Sequence, residues 1–128
     1  MAENLRSGFV WKTFNRAAEA RAPALAYAAA PGLSAEQRAV AVAHLLSLGL
    51  EPHEVGDTPG LVVARTVAML INEASDAVHQ GVCTPEGADA AMKLGVNYPA
   101  GPFEWLQAWS VEGVVSLLDR LDAHYRGE

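Results

Sequence analysis

The chain has one cysteine, Cys83, among its 128 residues. An intrachain disulfide is therefore impossible, which fits a reducing compartment such as the cytoplasm. Paired cysteines and a His-Glu-x-x-His run are both missing, so no zinc site is expected. No Gly-x-Gly-x-x-Gly follows a strand-like run and no Gly-x-x-x-x-Gly-Lys occurs, so the usual phosphate cradles are absent. No serine stands in a nucleophile elbow. No apolar run reaches the roughly 20 residues of a membrane span, because Arg65 and Asn72–Glu73 interrupt the best stretch. A charged, apolar and then small-residue leader is not seen at the start. Basic residues are scarce: Lys and Arg total 9 against 15 Asp and Glu, a net charge of −6. Such a chain is a poor candidate for binding nucleic acid, whose phosphates need clustered Lys and Arg.

What is present describes a globular, helix-rich protein. With 51% hydrophobic and 19% charged residues the chain can bury a modest single core. Alanine is abundant and strand-favouring β-branched residues are few, so helix should dominate. The few basic residues are unevenly placed. Arg6, Lys12, Arg16 and Arg21 make the first 21 residues +2 and leave −8 for the rest. That segment reads as a solvated amphipathic stretch, with a coenzyme A phosphate patch as the minority reading. Phe9, Val10, Trp11 and Phe14 form an apolar cluster within it. Aromatics of this size are costly to expose, so they should pack on this domain or on another.

Ala24–Ala30 is a strand-like run ending at Pro31-Gly32, a strong turn signal. Ser34 followed by Gln37 has capping-box spacing and opens a helix with Val42, Leu45, Leu46 and Leu48 on one side. His44 is expected to be buried or edge-packed on it. Gly49 supplies the C-terminal stop, and Glu51–Val55 is a second strand candidate. Asp57 or Thr58, followed by Pro59, predicts the start of a long helix whose apolar face holds Leu61, Val62, Val67, Leu70, Ile71, Ala74 and Val78. Gly81 ends it. Thr84-Pro85-Glu86 opens a third helix that Gly95 stops, and Pro102 opens a fourth with Phe103, Trp105, Leu106 and Trp109. Val111–Tyr125 is a fifth, with Val114, Val115, Leu117, Leu118 and Leu121 inward.

The connection Gly95-Val-Asn-Tyr-Pro-Ala-Gly-Pro-Phe is over-specified for a simple turn, so its shape should matter. Together with Asp57-Thr-Pro-Gly-Leu-Val-Val-Ala-Arg65, Asn72-Glu-Ala74 and Gly81-Val-Cys-Thr-Pro-Glu86, it resembles the C-terminal helical domain of the 3-hydroxyacyl-CoA dehydrogenases. The likeness covers Asp57 to about Arg120 and is traceable, more weakly, over 23–56. It implies a mainly α fold: a helical bundle like the C-terminal domain of 6-phosphogluconate dehydrogenase, preceded by a short strand–helix–strand remnant. Residues 1–56 would be the degenerate tail of an α/β nucleotide-binding domain. Residues 57–128 would be the helical dimerisation and substrate domain.

The resemblance also implies an activity. These enzymes oxidise a 3-hydroxyacyl thioester with NAD, using a glycine-rich loop and a His–Glu pair in a first domain. Neither is found here; Phe14-Asn15 is at most a fragment of the family's His-Phe-Phe-Asn-Pro segment. The helical domain normally lends an Asn from Gly-Phe-Val-Val-Asn-Arg, and that position is Ala64, which cannot hydrogen-bond through its side chain. His44, His53, His79 and His124 are scattered and lack the arrangement of a general base. No catalytic, cofactor-binding or metal-binding residue is therefore expected, and the chain alone should be inactive. NAD would be held by the missing N-terminal dehydrogenase domain.

The candidate substrate-binding residues are Arg65, Lys93, Asn97, Tyr98, Pro99, Gly101, Pro102 and Phe103. Arg65 is expected to pair with an acidic side chain across a helix interface, and Lys93 either meets a coenzyme A phosphate or is simply solvated. The expected partners are an acyl-CoA and a second copy of the chain through the Leu61–Val78 helix, with no nucleic acid and no membrane. The competing reading is a non-catalytic helical dimerisation or interaction module that kept the fold and lost the substrate. The start of the chain fits a trimmed open reading frame or a piece of a longer one.

Overall fold

A computed structural model of the chain describes residues 23–126. The expectations for Phe9, Val10, Trp11 and Phe14, and for the basic residues from Arg6 to Arg21, lie outside the described residues. Among those described are two strands and five helices, in two units that part between Val62 and Val63.

The first unit is β1 (Ala24–Tyr27), α1 (Ala35–Ser47) and β2 (Glu51–Glu54). The strands pair in parallel, Ala24 opposite Glu51 and Tyr27 opposite Glu54. Parallel neighbours need a crossover, and α1 is that crossover. Its start is the capping box expected from Ser34 and Gln37. Ser34 Oγ accepts the Gln37 N–H at 3.1 Å, and Gln37 Oε1 accepts the Ser34 N–H at 2.9 Å. Its end is a Schellman motif around left-handed Gly49, with Leu50 N–H donating to Leu45 O and Gly49 N–H to Leu46 O. Arg38 Nη1 donates to Glu54 Oε1 at 2.7 Å, and the Tyr27 hydroxyl donates to Glu54 Oε2 at 3.3 Å. Desolvation and then the Glu54 charge hold the Tyr27 hydroxyl above its ordinary pKa.

This unit has little interior. No residue of α1 is buried, and Val40, Leu46 and Leu48 are 66%, 56% and 61% exposed. His44 is exposed as well, which corrects the expectation that it is buried or edge-packed: no residue of this helix is buried, so the helix has no enclosed face to take a ring. Thr58–Leu61 is a second correction. It is a turn rather than the first turn of a helix, closed by Leu61 N–H donating to Thr58 O at 3.0 Å. Gly60 and Leu61 have φ of 72° and 46°, a left-handed conformation that a right-handed helix cannot contain. Pro59 then Gly60 is the residue pair of a type II turn, which shares its leading proline with a helix start.

The second unit is helical: α2 (Val63–His79), α3 (Pro85–Gly95), α4 (Pro102–Trp109) and α5 (Val111–Tyr125). Helix α2 packs against the other three, and α4 also packs against α3 and α5. The core is regular. Ala64, Val67, Ala68 and Ile71 recur at i, i+3, i+4 and i+7 on α2, facing Trp105 of α4 and Val114, Leu117 and Leu121 of α5. Each buried Val, Leu or Ile contributes about 1.5–3 kcal/mol of transfer free energy. Val115, expected inward, is 49% exposed because it falls one position off the Val114–Leu117–Leu121 stripe.

Helix ends set the angles of the bundle. Gly81, left-handed at φ 74°, closes a Schellman motif after α2. Thr84 Oγ1 then accepts the Gly87 N–H at 3.1 Å to start α3, with Pro85 in its first turn. Gly95 was expected to stop α3 but belongs to it. The left-handed residue that ends the helix is Asn97 at φ 58°, a conformation asparagine tolerates better than other side chains. Only Ser110 separates α4 from α5. Its Oγ accepts the Gly113 N–H at 3.2 Å, and a side chain at Gly113 would crowd the Trp109 indole.

Candidate functional site

The over-specified connection runs from the end of α3 to the start of α4, and its parts have separable causes. Asn97 is the exposed, left-handed residue that releases the chain from α3. Tyr98 N–H donates back to Met92 O at 3.2 Å. The Tyr98 ring rests on the Trp105 indole, with centroids 5.8 Å apart and planes inclined by 44°. Pro99 faces solvent, whereas Ala100, Gly101 and Pro102 are buried. Pro102 is the first residue of α4, where its missing N–H costs nothing.

Two carboxylates lock this joint. Gly101 is the N-cap of α4 and has no side chain with which to cap it. The acceptor comes instead from α3: Asp89 Oδ1 receives the Phe103 N–H at 2.8 Å. Asp89 lies so close over Gly101 that a Cβ at that position would overlap its carboxyl group. Glycine is thus required by proximity rather than by φ, which is −83°. Glu104, in the first turn of α4, accepts the Gly101 N–H at 3.0 Å and takes the Lys93 ammonium on its other oxygen. That ion pair, and next the Gly101 N–H, hold the Glu104 carboxyl below the usual carboxylate range. The same partner holds the Lys93 ammonium above its ordinary value.

The predicted site residues therefore fall into two groups. Lys93, Asn97, Tyr98, Pro99, Gly101, Pro102 and Phe103 belong to one joint. Arg65 is engaged elsewhere. The acidic partner expected for it is replaced by Tyr125, whose hydroxyl accepts from Arg65 Nη1 at 2.8 Å and whose ring lies 5.1 Å from the guanidinium carbon. A tyrosine at the end of α5 offers both an acceptor and a π face, so the cation needs no carboxylate there. Lys93 is engaged too: it is ion-paired with Glu104 rather than simply solvated. Sequence reasoning missed Asp89 and Glu104. Glu104 stands three residues after Gly101, a half capping box that was readable; Asp89 acts across helices and leaves no local signal.

Ala64 is 6% exposed and part of the α2 core stripe. It presents a methyl group where the motif has an amide. Among the described residues no group of three or more His, Cys, Asp or Glu side chains could hold a metal ion. The described residues do not fit a dinucleotide either. The β1–α1 loop has a single glycine, Gly32, and Ser34 already occupies the Gln37 N–H at the helix start. A pyrophosphate needs close backbone approach and free amides at that place.

Comparison with known proteins decides the ancestry of this fold. Residues 60–128 match the family model described as 3-hydroxyacyl-CoA dehydrogenase, C-terminal domain. The chain belongs to this family. It is 42% identical over 88 residues to 3-hydroxyadipyl-CoA dehydrogenase of Escherichia coli, covering 69% of this chain and 18% of that one. It is 37% identical over 73 residues to the mitochondrial hydroxyacyl-coenzyme A dehydrogenase of Homo sapiens, covering 57% and 23%. Among solved structures, 3-hydroxybutyryl-CoA dehydrogenase from Escherichia coli superposes with a TM-score of 0.75 at 38% identity, over 82% of this chain and 22% of the other. The (S)-3-hydroxybutyryl-CoA dehydrogenase from Ralstonia eutropha gives 0.74 at 28% identity, over 84% and 38%. The chain thus spans less than half the length of the relatives it matches. The mainly α fold expected from sequence is the fold of the family's C-terminal domain.

Proposed function

We propose that this chain is the C-terminal part of an NAD-dependent 3-hydroxyacyl-CoA dehydrogenase. It supplies a wall of the acyl-CoA pocket and an association surface, in fatty-acid or related acyl-CoA oxidation. The observation that carries the reading is the α3–α4 joint, locked by Asp89 and Glu104, together with a motif position, Ala64, that has no polar side chain. Shape is retained where a ligand would be enclosed, and chemistry is absent where a carbonyl would be held. Residues 1–56 are the tail of an α/β domain and 57–128 the helical domain. NAD and the catalytic His–Glu pair belong to a part of the enzyme outside this chain, so the chain by itself does not turn over. Arg65, Lys93, Asn97, Tyr98, Pro99, Gly101, Pro102 and Phe103 line or support the acyl-CoA side.

The partner is a second copy. Ala64, Val67, Ala68 and Ile71 of α2 are spent inside the bundle, but Met69 remains 51% exposed on the same helix, and Val82, Leu94 and Val96 are 73%, 87% and 55% exposed. In the proposed dimer these exposed apolar side chains are the ones a second copy would cover. A concentration-independent monomer mass in light scattering contradicts the dimer. No helix among the described residues is long and apolar enough to cross a membrane; a cytoplasmic location is part of the proposal.

Calorimetric titration with acetoacetyl-CoA, with and without NAD, tests the reading. Saturable micromolar binding that NAD does not alter supports it. A folded sample that gives no heat supports instead a dimerisation or interaction module without substrate, the reading favoured by the pairing of Lys93 with Glu104.

A further inference from the structure

We infer that Asp89 is a positioning residue: it sets the conformation of the Tyr98–Phe103 segment from the neighbouring helix without itself touching a ligand. Its role in ligand binding rests on the reading above, in which that segment is a wall of the acyl-CoA pocket. Three observations converge on this one side chain. Its Oδ1 is the acceptor for the Phe103 N–H at 2.8 Å, in place of the cap that Gly101 cannot supply. It covers Gly101 so closely that no side chain fits there. It also adds to the negative field that retains the Lys93 ammonium beside Glu104. Asp89 thus fixes both where α4 begins and which way Phe103 leaves the joint.

The geometry requires an acceptor oxygen at Asp89 rather than a charge, and this separates a positioning role from general electrostatics. In the full chain, Asp89→Asn keeps an oxygen within reach of the Phe103 N–H, whereas Asp89→Ala removes it. Amide exchange by NMR should show the Phe103 N–H protected in wild type and Asp89→Asn. In Asp89→Ala it should exchange roughly tenfold faster or more, with α2 and α5 unchanged. Acetoacetyl-CoA affinity should follow the same order, falling about tenfold in Asp89→Ala and staying within about twofold in Asp89→Asn. If Asp89→Ala does not fold, Asp89→Leu, which keeps a branched side chain of similar shape but has no acceptor oxygen, carries the same expectations. A Phe103 amide that exchanges no faster without the carboxyl overturns the inference. So does an Asp89→Asn variant as impaired as Asp89→Ala. Wild-type protein that binds no acetoacetyl-CoA refutes the proposed function alone, and the exchange rates still decide whether Asp89 sets the joint. Tight binding that Asp89→Ala leaves untouched refutes the positioning role and leaves the proposed function standing.

Discussion

The two units of this chain spend their apolar residues differently. In α2–α5 the stripe Ala64–Val67–Ala68–Ile71 is matched by Trp105, Val114, Leu117 and Leu121, and all are nearly inaccessible. In β1–α1–β2 the helix is well formed at both ends but buries nothing. Local signals suffice to start and stop a helix; they do not make a core. The difference teaches that capping and packing are separate achievements. Among the described residues, the first unit shows the former and not the latter. A two-stranded parallel sheet ordinarily sits within a larger sheet covered on both faces, and the family relatives, several times longer, have chain enough to provide one.

Core truncation should break the symmetry between the units most sharply. Trp105→Ala in the helical unit is expected to cost about 3–5 kcal/mol and Ile71→Ala about 2–4 kcal/mol. Val40→Ala in α1, at a residue 66% exposed, should stay within about 0.5 kcal/mol. Urea denaturation followed by circular dichroism measures all three, and equal costs in the two units would remove the contrast.

Next in size is Gly101→Ala. The new Cβ would overlap Asp89, so α3 and the joint must separate, at about 1–3 kcal/mol. An alanine at Gly49 meets no neighbouring atom and suffers only its left-handed φ of 74°, which costs about 1–2 kcal/mol. Melting of the two variants separates steric from conformational demand for glycine. Tyr125→Phe, which removes the acceptor for Arg65 but keeps the ring, is expected to cost about 0.5–1.5 kcal/mol in the same assay.

The smallest effect is electrostatic and depends on pH. Glu104 titrates lower in the folded chain than when unfolded, so its contribution is complete above the ordinary carboxylate pKa. It is lost as pH falls through the depressed folded value, below about 4.5. Lys93 titrates higher when folded, so its contribution holds below about 10.5 and disappears as pH rises through the elevated value. Both side chains are partly exposed, so salt should weaken the pair. Glu104→Gln should lower stability slightly at neutral pH and converge with wild type in acid, flattening the acid limb of a stability–pH curve; an acid limb identical to wild type contradicts the assignment.

Much of the fold was legible because its signals are local. Ser34 with Gln37, Thr84 with Pro85, Pro102 and Gly81 each announce a helix end within a few residues, and each stands where expected. Misreadings arose where one local signal serves two structures. Pro59-Gly60 fits both a helix start and a type II turn, and Leu61 in a left-handed conformation decides for the turn. Gly95 looked like the stop of α3, yet Asn97 performs it. The joint's importance could be read from its glycines and prolines, but not its cause. Asp89 and Arg65 act on partners 14 and 60 residues away, and nothing in the sequence names those partners.

Amide hydrogen exchange over the whole chain tests the central contrast most directly. The account predicts that Val67, Ala68 and Ile71 of α2 and Leu117 of α5 exchange only through global unfolding, while α1 and β2 exchange orders of magnitude faster through local opening. Equal, global protection in both units would contradict it.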